Sequence, residues 1–125
     1  MNAATGMRRV SVHRLGEVLL ASIQQELTDS IAVALRQDLT EMAAAGTRGV
    51  IIDISQVEIV DSFLARVLAE IAAATRILAG RTVVCGMRPP VAITMVEMGL
   101  GLPGLHTARS LEDALALVEA GEVGR

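Results

Sequence analysis

The chain contains no lysine, tryptophan or tyrosine, a single phenylalanine, Phe63, and a single cysteine, Cys85. Each shortage closes off a kind of chemistry. Without lysine there is no P-loop and no lysine-dependent catalysis. Every one of the 11 positive charges is arginine, set against 14 acidic residues, so there is no basic excess. With one aromatic ring there is no stacking platform either, and no nucleic-acid partner is expected. One cysteine permits no intrachain disulfide, and within RTVVCGM it reads as a small buried hydrophobe. His13 and His106 lack neighbouring Cys or His at ligand spacing, so no metal site and no cofactor are expected. The most apolar stretch, PPVAITMVEMGLGLPGL, is broken by Gly, Pro and Glu97 and is too short to span a bilayer. MNAATGMRRV lacks the apolar region of an export signal, and the expected setting is cytoplasmic with no membrane partner.

What is present is apolar material: 52% of 125 residues, enough to fill one core and suited to a single domain over 1–125. Its patterning alternates between strand and helix. Residues 8–13 and 17–24 read as strands of a hairpin around Leu15-Gly16. Thr28 or Asp29 opens a helix to about Ala45, with Ile31, Leu35, Leu39 and Met42 in one stripe and Gly46 as its stop. GVIIDI, residues 49–54, is the continuous apolar run of a strand covered on both faces. A second helix over 62–79 turns Leu64, Leu68, Ile71, Thr75 and Leu78 inward and Arg66, Glu70 and Arg76 outward. RTVVCG, a helix from Pro89-Pro90 to Gly99, a strand at Leu105–Ala108 and a helix LEDALALVEAG capped by Ser110 with Asp113 complete the pattern. The expected fold is α/β, a mostly parallel central sheet with an N-terminal hairpin and about four helices. The third helix has few polar positions: it is either enclosed by the domain or presents an apolar face to another chain.

The segment VIIDISQVEIVDSFLARVL, residues 50–68, carries the functional signal. Its apolar run ends at Asp53 and a helical pattern begins at Asp61-Ser62. A first helical turn has unpaired N–H groups and a partial positive charge that together hold a phosphate, so Ser62 is a candidate phosphoacceptor. The alternative is that Asp61 or Ser62 caps the helix, although neither has Glu or Gln three places on. Val57, Glu58, Ile59 and Val60 lie just ahead of Ser62 and, with Phe63, form a candidate partner surface. The other reading has the apolar residues of that loop tucked under the sheet edge.

Other chemistries fit less well. VDSFL has no glycines flanking the serine, as a nucleophile elbow requires. Gly99, Gly101 and Gly104 follow a helix instead of joining a strand to one, and read as a turn, not a phosphate loop. Asp53 would suit the phosphorylated aspartate of a response-regulator receiver. The acidic residues after the first strand and the lysine after the last that such a domain needs are missing.

Three segments, GEVLLASIQQELTDSIAVALRQDL, GTRGVIIDISQVEIVDSFLARVL and GMRPPVAITMVEMGLGLPGLHTARSLEDAL, together resemble the STAS domain family over about residues 8–118, on its stressosome and anti-sigma factor antagonist side. The resemblance implies a single STAS domain that is not an enzyme but a phosphorylatable antagonist and scaffold in a bacterial stress response. It implies that Ser62 is phosphorylated by a serine/threonine switch kinase of the histidine-kinase-like ATPase class, with Asp61 and Asp53 as the acceptor's surroundings. Its implied partners are that kinase, a STAS-containing sensor co-antagonist, and further copies in a homodimer and higher assembly. Ala65 stands where many relatives carry glycine, a change that favours the helix by about 1 kcal/mol. A STAS module that binds a nucleotide or serves a transport complex is the alternative.

Overall fold

The computed structural model describes residues 10–23, 29–58, 62–78, 80–97 and 105–123. The expectations placed on residues 8–9, Thr28, Ile59, Val60, Asp61, Gly99, Gly101 and Gly104 lie outside the described residues.

Five strands form one sheet in the order β1-β2-β3-β4-β5. They are β1 (Val10–Leu15), β2 (Val18–Ile23), β3 (Gly49–Asp53), β4 (Arg81–Cys85) and β5 (Leu105–Ala108). β1 and β2 are antiparallel and the rest of the ladder is parallel. The first strand runs two residues further than its pattern suggested. Leu15 pairs with Val18, leaving Gly16 and Glu17 as a two-residue turn, and Gly16 supplies the positive φ (62°) that the first central position of such a turn demands.

Four helices cover the sheet: α1 (Asp29–Ala44), α2 (Ser62–Leu78), α3 (Pro89–Glu97) and α4 (Leu111–Val123). The strand period of two divides each buried strand between two cores. Val50, Ile52 and Ile54 face a large core built with α1, α2 and the inward residues Val91 and Met95 of α3. Ile51, Val83 and Cys85 face a smaller one under Ala114 and Val118 of α4. The fully buried run Val50-Ile51-Ile52 is therefore the signature of a central strand with helices on both sides. The stripe on α2 is as its spacing required: Leu64, Leu68, Ile71 and Thr75 are buried, and Arg66 and Arg76 are exposed.

Two long-range tethers fix α1. Arg14 of β1 donates from Nη1 to Gly46 O at 2.9 Å and from Nη2 to Met42 O at 3.3 Å, placing a cation on the carbonyl end of the helix. Arg36 on α1 pairs with Glu70 on α2. At the start of α4, Ser110 Oγ accepts from Asp113 N at 3.1 Å, the bond expected of its cap.

Candidate functional site at the carboxyl end of the sheet

Parallel strands deliver their carboxyl ends to one edge of the domain, and residues 54–58, which follow β3, lie there. Asp53 is the last residue of β3 and aligns with Ser22 and Cys85 of its neighbours. Its Oδ1 accepts from Ser55 N at 2.9 Å, so the half-buried carboxylate bends its own chain into a turn. The turn is closed by Val57 N donating to Ile54 O at 2.9 Å, while Ile54 N donates to Cys85 O at 3.0 Å and ties it to β4.

The loop after β4 completes the clasp. Gly86 has φ 76°, and a Cβ there would stand 2.8 Å from Ser55 Cβ and 3.1 Å from Asp53 Oδ1. Only the missing side chain lets the two loops meet. Arg88 donates from Nε to Ser55 O at 2.9 Å and brings Nη1 to 3.7 Å from Glu58 Oε2. The carbonyl bond fixes the loop, whereas so exposed an ion pair adds little.

From this loop the chain enters α2 at Ser62, which is exposed. Leu64 and Ala65, two and three residues on, are buried and hold the first turn on the sheet. Phe63 is half-buried against the large core. There is no acidic residue in the first turn of α2. Arg66, one turn beyond Ser62 and also exposed, places a guanidinium on the same side of the helix.

The candidate surface needs a correction. Val57 is only 2% exposed: the turn that follows Asp53 folds it inward, where it joins the core of α1 and α2. The reading in which this loop tucks under the sheet holds for that residue. Glu58 is exposed and Phe63 half-exposed, whereas Ile59, Val60 and Asp61 lie outside the described residues. Sequence patterning passed over Gly86, Arg88 and the placement of Arg66. The first two act across the fold, on a loop about thirty residues earlier, and no local period records that. The third was readable from its spacing of four after Ser62.

Cys85 is buried among apolar side chains, and burial, helped by the nearby Asp53 carboxylate, pushes its thiol up to about 11 from 9.0. A buried neutral thiol is inert. The folded protein is expected to resist alkylation by iodoacetamide at pH 8 and to react once urea unfolds it; rapid labelling of the native chain would contradict this packing. The linkage has a definite sign. The neutral thiol's contribution to stability is complete below 9.0 and is lost as pH climbs through about 11. His106 is moved below its ordinary range by partial burial and then by Arg81. Among the described residues there is no group of three or more His, Cys, Asp or Glu able to hold a metal. Nor is any described helix long and apolar enough to cross a membrane.

An exposed serine at the start of a helix, on a sheet with an antiparallel first pair and three parallel pairings, defines a class. The model of the STAS domain matches residues 9–114, and the chain belongs to that family. Its fold is that of stressosome and anti-sigma factor antagonist STAS proteins. The structure of an RsbS variant of Moorella thermoacetica carrying a serine-to-glutamate replacement is similar at 35% identity and TM-score 0.76, covering 89% of this chain and 95% of that one. A chain from the molecular architecture of the stressosome, described as a signal integration and transduction hub, is similar at 31% identity and TM-score 0.71, covering 92% and 99%. The RsbT co-antagonist protein RsbRD of Bacillus subtilis (strain 168) is 34% identical over 82 residues. That match takes in 66% of this chain and 30% of RsbRD, so the chain spans less than a third of that relative's length. Two of these relatives are named for their roles, one as part of the stressosome and one as a co-antagonist.

Proposed function

We propose that the chain is a non-enzymatic antagonist and scaffold of a bacterial stressosome, working in the cytoplasm, that sequesters a serine/threonine switch kinase and releases it when Ser62 is phosphorylated. The observation that carries this reading is the placement of Ser62: exposed, first in a 17-residue helix, and delivered by a loop pinned through Asp53 and Arg88. Transfer would join the γ-phosphorus of ATP to Ser62 Oγ, break its bond to the β–γ bridging oxygen, and release ADP and the hydroxyl proton. The helix start favours the new charge of about −2, while Asp61 opposes it. The partners are an RsbT-like kinase, an RsbR-like co-antagonist with its own STAS domain, and further copies of this chain in a homodimer and larger assembly. The likeness to a stressosome chain and to an RsbT co-antagonist supports that choice.

The test is ATP-dependent phosphate incorporation by the cognate switch kinase, mapped by peptide mass spectrometry and paired with kinase pull-down before and after reaction. Phosphate at Ser62 with loss of the kinase is the expected result. In Ser62→Ala incorporation is expected to disappear while kinase binding persists. Undiminished incorporation in that variant would overturn Ser62 as the acceptor, and stable kinase binding after full phosphorylation would overturn the release.

A further inference from the structure

We propose that Arg66 receives the phosphoryl group of phosphorylated Ser62 and holds it on the ridge of α2. The inference rests on the reading of Ser62 as the phosphoacceptor. Four residues of α-helix advance about 6 Å and return to the same side, so Ser62 and Arg66 are neighbours on the surface. Both are exposed. Helical side chains lean toward the N-terminus, which carries the guanidinium of Arg66 back over the first turn and toward Ser62. An anion four residues before a cation is also the favoured order. The planar fork of arginine suits two phosphate oxygens at once, as a point-like ammonium does not.

The neighbouring charges leave this task to Arg66. Glu70, the acidic residue one turn further along the ridge, is paired with Arg36 of α1. Arg88 is engaged with the Ser55 carbonyl and with Glu58. Arg76 sits in the last turn of α2, at the far end of the helix. Phosphorylation then changes the surface twice: a neutral hydroxyl becomes a dianion, and the exposed Arg66 guanidinium gains a phosphate partner.

The test uses the full chain with phosphoserine encoded at position 62, so that it does not depend on the kinase. The second ionisation of the phosphate is followed by phosphorus NMR across pH. Arg66→Gln is expected to raise its midpoint by about 0.15–0.4 pH units, Arg66→Lys by less, and Arg76→Gln to leave it in place. A shift in Arg66→Gln no larger than that in Arg76→Gln overturns the proposal. If the kinase leaves Ser62 unmodified but the encoded phosphate responds to Arg66, the pairing stands and the switch falls. If the kinase modifies Ser62 and the titration ignores Arg66, the switch stands and the pairing falls.

Discussion

Gly86→Ala is expected to destabilise the domain by about 2–4 kcal/mol, far more than the same change at Gly16. Both glycines have positive φ, 76° and 62°, and an alanine in that region costs about 1–2 kcal/mol. Part of this is returned because alanine also restricts the unfolded chain, by about 0.4–1 kcal/mol. The two positions separate on space. At Gly16 nothing lies within 4 Å of an added Cβ. At Gly86 the added atom meets Ser55 Cβ at 2.8 Å and Ser55 Cα at 3.2 Å, and main chain must move. The part that moves is the turn bent by Asp53 and gripped by Arg88. Urea unfolding checks the ranking, read as a fall in midpoint at constant slope. Equal losses in Gly16→Ala and Gly86→Ala would show that the loops do not meet as described.

The same loops show where sequence stops being informative. β3 was legible because three consecutive apolar residues between glycine and aspartate, Val50, Ile51 and Ile52, fit few structures besides a strand covered twice. α2 was legible because Leu64, Leu68, Ile71 and Thr75 keep one face over three turns. Ser62 was singled out by the junction of those two patterns, and α2 does begin there, where the apolar stripe begins. Val57 was ambiguous for a physical reason. A loop has no period, so nothing in QVEIV says which side chains turn inward; a hydrogen bond from Val57 N to Ile54 O decides it. The arginines were invisible for another. Arg14 and Arg88 bond to main-chain carbonyls 28 to 33 residues away, and a carbonyl leaves no mark on the sequence that its partner could be matched against. The apolar third helix divides between its two readings: Val91 and Met95 are buried, while Ile93 and Val96 remain 58% and 78% exposed.

Ser62→Asp is expected to keep the fold and lose the kinase, at least about tenfold in affinity, or about 1.4 kcal/mol. The first expectation follows from position. The side chain at 62 is exposed and opens α2, where a carboxylate interacts favourably with the helix N-terminus by about 0.3–1 kcal/mol. Unfolding should therefore stay cooperative, with a midpoint equal to or slightly above that of the parent. The second follows from the proposed switch, in which charge at this point, not loss of the hydroxyl, ejects the kinase. Ser62→Asn separates the two, since its amide has nearly the shape of aspartate without the charge. Titration calorimetry with the kinase should find Asn close to the parent and Asp weakened, with the gap narrowing as salt rises because both the new charge and Arg66 are exposed. Equal weakening by Asn and Asp would move the cause to shape and remove electrostatic release from the mechanism. Loss of cooperative unfolding in Ser62→Asp would remove the premise that the acceptor site tolerates an anion at all.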